Sequence, residues 1–297
     1  MKENLTPDAV THTVYLCQVS PNVSCGACCG LYNVADPDPR ALEVMLRRRT
    51  QWFADVPRTV AGIDAFKARV EGIEPQERPF PDFHHCPFLG MIEDTGRRVG
   101  CLLHPLAPGN HGLDWRGLSY YGGMACRTYF CPSVRHLPVR WMTAVRQSMD
   151  HWYLHGLIVT ERRLLSAFFK ELENRIGRPV NESDFSDGSD TALLFRTFAT
   201  LKLNWPFRRK GAPGVCNYFF EDGQYLRPAV GKTADGIPAS SFETIFRELD
   251  SGFSSTREIH DAAERIEDIF RRIEGFLSAR NPEDGHPVGH KAGMPST

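Results

Sequence analysis

The chain has 297 residues, with 35 Lys and Arg against 36 Asp and Glu for a formal charge of -1. That balance argues against a chain built to wrap nucleic acid or coat an anionic membrane, since both need a basic surplus. An apolar content of 41% with 19 Phe excludes global disorder. At about 150 residues per domain the length suggests roughly two domains. No apolar run approaches the roughly 20 residues that span a bilayer; the longest, around residues 154–159, is broken by His155 and Gly156. The opening MKENLTPDAVTHTV lacks the apolar stretch of a secretory leader, so the expected compartment is the cytoplasm.

Residues 14–19 (VYLCQV) read as a short strand, followed by the turn signal Ser20-Pro21-Asn22. A Gly-punctuated knuckle, SCGACCG, occupies residues 24–30. Asp36-Pro37-Asp38-Pro39 then announces a helix, with Asp38 as cap and Pro39 in the first turn. It is expected over residues 40–53, burying Leu42, Met45 and Leu46 while Arg47, Arg48 and Arg49 face water. Residues 56–135 look irregular and rich in Gly and Pro. Within them CPFLGMIED and RRVGCLLHP resemble two strands joined at Asp94-Thr95-Gly96, with Cys86 before the first and Cys101 in the second. So long an irregular stretch usually relies on a metal, a ligand or disulfides.

After Pro138 the periodicity turns helical. Trp141, Val145, Met149, Trp152, Leu164, Leu165, Phe168, Phe169 and Leu172 recur at helical spacing through residues 139–176, where Gly156 is expected to divide two helices. A further helix should open at Ser189-Asp190, reach about residue 203 and stop at Pro206. Ser240 with Glu243, and Ser255 with Glu258, are capping boxes opening two more. The last should run to about residue 279, with Ile259, Ala262, Ile266, Ile269, Phe270 and Ile273 on one stripe. The tail from Asn281 reads as disordered. The expected fold class is α+β: an irregular, metal-stabilised, cysteine-rich N-terminal region with short strands (14–137), a mainly helical C-terminal half (138–280) and a tail (281–297).

The nine cysteines carry the functional information. Nothing signals an oxidising compartment, and an odd count with Cys28 and Cys29 adjacent is a poor disulfide framework. Eight fall before residue 132 and only Cys216 follows. Scattered core thiols would not segregate so. Thiolates are soft ligands that suit zinc and iron–sulfur clusters. The spacing Cys25-x-x-Cys28 lets one tight turn aim two sulfurs at one ion, and Cys29 must point elsewhere. Cys126 and Cys131 form a second local pair, and Cys86 and Cys101 arrive from the hairpin. Cys216, in GVCNYFF, reads as a core thiol.

Taken in order, Cys25-Gly-Ala-Cys28-Cys29, Cys86-Pro-Phe-Leu, Cys101-Leu-Leu-His-Pro and Cys126-Arg-Thr-Tyr-Phe-Cys131 resemble the zinc- or iron-chelating cysteine-cluster family (YkgJ-like). The resemblance covers about residues 14–135. In that family an eighth cysteine stands a few residues before the knuckle; here Asn22 is nearby, and Cys17, further upstream, takes that place through a longer loop. Family members also tend to carry an Arg-Pro between the third and fourth elements, whereas residues 107–123 form a longer insert with Arg116 and no Arg-Pro. The resemblance implies zinc or iron bound by Cys25, Cys28, Cys29, Cys86, Cys101, Cys126 and Cys131, with Cys17. Relatives are often labelled iron–sulfur oxidoreductases, and some look like flagellin lysine N-methylases.

Seven or eight thiolates exceed one tetrahedral zinc. They fit two all-thiolate zinc sites, a binuclear zinc cluster or a [4Fe–4S] cluster with spare thiols. The preferred expectation is zinc in a structural or metal-handling role. The alternatives are an iron–sulfur oxidoreductase and, third, a methylase of the flagellin-modifying kind, for which no glycine-rich motif speaks. Beyond the metal ion the reading leaves room for a protein partner and expects no nucleic acid and no membrane. His84, His85 and His104 adjoin the cysteines and suit either mixed zinc coordination or exposed turns. His151 and His155 sit four apart without the glutamate of a zinc-protease helix and read as a surface or half-buried pair. Gly231-Lys232-Thr233 lacks the earlier glycine of a phosphate loop, and residues 207–210 (FRRK) read as a solvated loop.

Overall fold

The computed structural model describes residues 14–20, 23–93, 95–212 and 242–279. Cys216, Gly231-Lys232-Thr233, Ser240 and the tail from Asn281 lie outside the described residues. The fold mixes helices with two short antiparallel hairpins, and the C-terminal half is helical, as the sequence pattern predicts.

The first hairpin pairs β1 (Gln18–Ser20) with β2 (Val23–Ser24). The expected strand at 14–19 is therefore shorter and shifted: its residues 14–17 are not paired, and Cys17 instead accepts a backbone bond from Cys25 N (2.8 Å). Helix α1 (Pro39–Phe53) opens as predicted, with the Asp38 carboxylate accepting from Arg40 N and Ala41 N. Its buried residues are Leu42, Leu46, Arg49 and Phe53. Arg49, expected in water, is thus wholly buried, because it falls on the apolar stripe seven residues after Leu42.

Helix α2 (Val60–Ile73) crosses the stretch expected to be irregular. Thr59 caps it by accepting from Gly62 N (3.2 Å), and Ile63, Phe66 and Val70 supply a narrow apolar stripe that its two glycines obscure. The second hairpin matches the prediction. β3 (Leu89–Met91) pairs with β4 (Val99–Cys101) in the register Leu89–Cys101, Gly90–Gly100 and Met91–Val99. Ser24 joins the two hairpins: its hydroxyl donates to Val99 O (2.7 Å) and accepts from Val99 N (2.8 Å).

The stretch 139–176 holds three helices rather than two: α4 (Val139–Ser148), α5 (Trp152–Val159) and α6 (Arg162–Ile176), preceded by α3 (Pro132–His136). The breaks fall at residues 149–151 and 160–161, and Gly156 sits inside α5. Its reason is packing, since a Cβ there would lie 2.3 Å from Tyr32 Oη. Tyr32 donates to Tyr153 O (2.7 Å) across that contact. Helix α7 (Asp190–Asn204) starts at the predicted cap, Ser189 accepting from Ala192 N (3.2 Å). Helix α8 (Glu243–Glu248) forms, but Phe242 at its cap position makes no side-chain cap bond. Helix α9 (Thr256–Ala279) buries the predicted stripe. Ser255 Oγ accepts from Glu258 N (3.2 Å), while the Glu258 carboxylate reaches back to Ser254 N (2.6 Å) rather than to the cap itself.

The helices share a phenylalanine core. Phe168 meets Phe195, Phe198 and Phe270 at ring-centroid distances of 5.0, 4.5 and 5.1 Å, and each buried ring is worth about 1.5–3 kcal/mol in apolar transfer. This core extends to the cysteine-rich half: Leu16, Val19, Val23 and Cys131 pack into it. Among the described residues no helix is long and apolar enough to cross a membrane.

Candidate metal centre

The knuckle is one tight turn, Ala27–Cys29, closed by Gly30 in the left-handed region (φ 78°). Glycine is required there twice over, since a Cβ would lie 2.1 Å from His84 O. Close approach lets Cys86 N donate to Cys29 O (2.9 Å). Asn33 fastens the following loop: its amide donates to Phe80 O (2.9 Å) and Phe83 O (2.7 Å), and its carbonyl accepts from Phe80 N (2.9 Å). The hairpin register then sets Cys101 opposite Leu89, three residues beyond Cys86.

Cys17, Cys25, Cys28, Cys29, Cys86, Cys101, Cys126 and Cys131 are all free thiols. They fall into two neighbourhoods. Cys17, Cys25 and Cys131 act on one another electrostatically. Cys29, Cys86, Cys101 and Cys126 form a second linked set. Cys28 influences members of both. Neighbourhood is not coordination, however. Among the described residues no three His, Cys, Asp or Glu side chains converge as a ready metal-binding group.

Burial is the main force on most of these thiols, because it disfavours the thiolate. It pushes Cys17 up to about 12 and both Cys86 and Cys131 up to about 11. Cys25, Cys101 and Cys126 are raised for the same first reason. The adjacent pair behaves otherwise: a hydrogen bond from Cys29 holds the Cys28 thiol below its ordinary value, and the same bond drives Cys29 up. A cation binding to the raised thiols must displace their protons, so such binding releases acid.

Arg49 is the residue that sequence reasoning missed. Its Nε donates to Glu74 Oε1 (3.0 Å) and Oε2 (3.2 Å), its Nη2 pairs with Glu74 Oε2, and its Nη1 donates to Cys86 O (3.0 Å). Its Nη2 also lies 2.7 Å from His85 Nε2. His85 Nδ1 lies 2.7 Å from Gly30 O, and a carbonyl can only accept, so Nδ1 carries the proton and Nε2 takes the bond from Arg49. Burial, with the Arg49 charge, holds this imidazole neutral at about 3. Both ring nitrogens are engaged. His85 is therefore a brace between the knuckle and Cys86, not a free donor.

The other histidines sort differently. The His84 ring stacks between Phe83 (4.8 Å) and Tyr121 (4.7 Å). His104 Nδ1 accepts from Leu106 N (3.1 Å). His151 and His155 do not form a surface or half-buried pair: His151 is exposed and caps α5 by accepting from Tyr153 N (3.2 Å), whereas His155 is fully buried with Nε2 2.8 Å from Leu16 O. Burial lowers His155 to about 4. On the outer side Arg116 donates to Cys126 O (3.1 Å) and is gripped by Asp114, whose carboxyl the Arg116 hydrogen bonds hold down at about 2.

No family model matches the chain, and no curated protein and no solved structure matches it.

Proposed function

We propose that the protein binds zinc through Cys17, Cys25, Cys28, Cys29, Cys86, Cys101, Cys126 and Cys131, in a structural or metal-handling role. The observation that carries this reading is the gathering of eight free thiols, drawn from residues 17 to 131, into one region of the fold. The donor chemistry fits: soft sulfur without carboxylate suits zinc, which asks for thiolates at turn spacings and binds them tetrahedrally. When bound, the ion would supply folding energy by joining the separate segments that carry the cysteines. The chain's own residues do the positioning. Gly30 allows the knuckle to close on His84, Arg49 and His85 hold Cys86, and Arg116 holds the Cys126 backbone.

One observation favours an iron–sulfur cluster as the second reading. With both nitrogens of His85 engaged, that side chain adds nothing to mixed Cys/His coordination, and all-cysteine ligation is the usual rule for such clusters. Elemental analysis and a visible spectrum of the anaerobically purified chain decide between them. Zinc in colourless protein supports the proposal; brown protein with iron and acid-labile sulfide replaces it with the second reading.

A further inference from the structure

Helix α6 divides its surface sharply. Leu164, Leu165, Phe168, Phe169 and Leu172 are buried in the helical core. Arg162, Ser166 and Lys170 recur four apart on the other side, with Arg163 beside the first of them. Both α3 and α8 pack on α6. His136, which ends α3, and Thr244, in the first turn of α8, thereby turn this polar face into an open hollow of about 360 Å³. Arg162, Arg163, Ser166 and Lys170 supply most of the remaining wall.

The hollow carries one sign of charge. Among the described residues that line it, none is acidic. The carboxylates on the same helices are committed elsewhere: Glu161 pairs with Lys202 (3.0 Å), Glu171 with Arg175 (2.7 Å) and Glu173 with Arg140 (2.6 Å). On α8, Glu243 pairs with Arg247 (2.6 Å) and Glu248 is fully buried, while α3 has no acid at all. Lys170, between the engaged Glu171 and Glu173 and the start of the helix, therefore has no ion-pair partner among the described residues. His136 feels the same field, since burial and then the Arg162 and Arg135 charges lower it from its ordinary value. Like charges gathered in a concavity repel one another and focus a positive potential, which an anion relieves. Guanidinium forks and a lysine point charge suit phosphoryl oxygens. The volume falls in the range of small-ligand sites rather than that of a single bound ion.

We propose that the hollow between α3, α6 and α8 binds a diphosphate group, held by Arg162, Arg163 and Lys170 with His136 and Ser166 at its edge. The group is carried either by free pyrophosphate or by a nucleoside diphosphate. No cysteine lines the hollow, so this proposal stands apart from the zinc-binding reading.

The test is isothermal titration calorimetry of the full chain with sodium pyrophosphate and, separately, with ADP, at low ionic strength where charge pairing is least screened. Both should bind at a single site. Lys170→Gln, at an exposed position, should weaken both about tenfold. Arg257→Gln, exposed on α9 and outside the hollow, should leave both unchanged. Tighter binding of pyrophosphate assigns the free anion, and tighter binding of ADP assigns the nucleoside diphosphate. Acetic anhydride labelling of the unaltered chain, read by peptide mass spectrometry, gives an answer independent of any variant. Either probe should slow acetylation of Lys170 but not of Lys67 on α2. No binding at millimolar probe, or Lys170 labelled equally with and without it, would overturn the proposal. So would heat that persists undiminished in Lys170→Gln, as expected if pyrophosphate merely draws a cation from the thiols; that result leaves the zinc-binding reading intact.

Discussion

Replacing Arg49 by Met removes the guanidinium behind the cysteine region while keeping much of its bulk. The Arg49 and Glu74 side chains are 1% and 6% exposed, so the variant leaves a buried carboxylate short of its main partner. Breaking such a pair costs about 3–5 kcal/mol. Arg48 still donates to Glu74 Oε1 (3.0 Å), which moves the pair towards the low end, while Cys86 O and His85 Nε2 each lose a donor worth about 1 kcal/mol. A loss of about 5 kcal/mol is expected in urea unfolding followed by circular dichroism. Arg48→Ala, whose side chain is 38% exposed, should lose only about 0.5 kcal/mol. Adding Glu74→Met to Arg49→Met should recover much of the loss, because no unpaired charge then remains buried. The sign with pH follows. Burial raises the Glu74 carboxyl, but Arg49 and Arg48 outweigh it and hold the group below its usual 4.5. The contribution is therefore present above that value and lost as pH falls below it. A loss under about 1 kcal/mol, or equal losses from Arg49→Met and Arg48→Ala, would refute the role assigned to Arg49.

Gly156→Ala should destabilise by about 1–3 kcal/mol, since the new methyl meets Tyr32 Oη. Gly275→Ala, exposed in α9 with nothing near its added Cβ, should stabilise by about 0.5–1 kcal/mol; thermal melts that show the same sign for both would contradict this packing. Glu173 gives a second pH signature. Burial raises its carboxyl, but bonds from Arg140 Nε (2.6 Å), Trp141 Nε1 (2.9 Å) and Val180 N (3.0 Å) prevail and hold it at about 2. Its stabilisation, about 1–2 kcal/mol after allowing for the solvent screening of Arg140, should be complete above pH 4.5 and lost as pH falls towards 2, and Glu173→Gln should flatten that slope. Strong chelation should open the N-terminal half to protease while the helical half stays resistant; identical digests with and without chelator would count against metal as part of the fold.

Legibility followed the strength of the local signal. The Asp38-Pro39 start, the Ser189 cap, the β3–β4 hairpin and the α9 stripe each rest on residues whose local chemistry allows few alternatives. Where a residue serves a distant partner, the local reading failed. Gly156 looks like a breaker but is a notch for Tyr32, 124 positions earlier in the chain. Arg49 lies in a run of three arginines and looks solvated, although its place on the Leu42–Leu46–Phe53 face already marked it as buried. Helix α2 offered the same kind of clue in Ile63, Phe66 and Val70, spaced three and four apart behind the Thr59 cap. For the centre, the cysteine spacings pointed to one region, but no spacing could reveal that Gly30 O and Arg49 take up both nitrogens of His85.

The tethers that hold residues 16–37 have a kinetic consequence. Leu16 O waits for His155, Val19 O for Arg146, Tyr32 for the Tyr153 carbonyl and Pro37 O for the Tyr153 hydroxyl. During synthesis the segment carrying Cys17 thus leaves the ribosome well over a hundred residues before the helix that secures it. Closing such large loops is entropically costly and slow, and contacts of this kind lengthen folding times. The early cysteines therefore spend the interval as solvated thiols, and assembly of their region waits until synthesis has passed the middle of the chain.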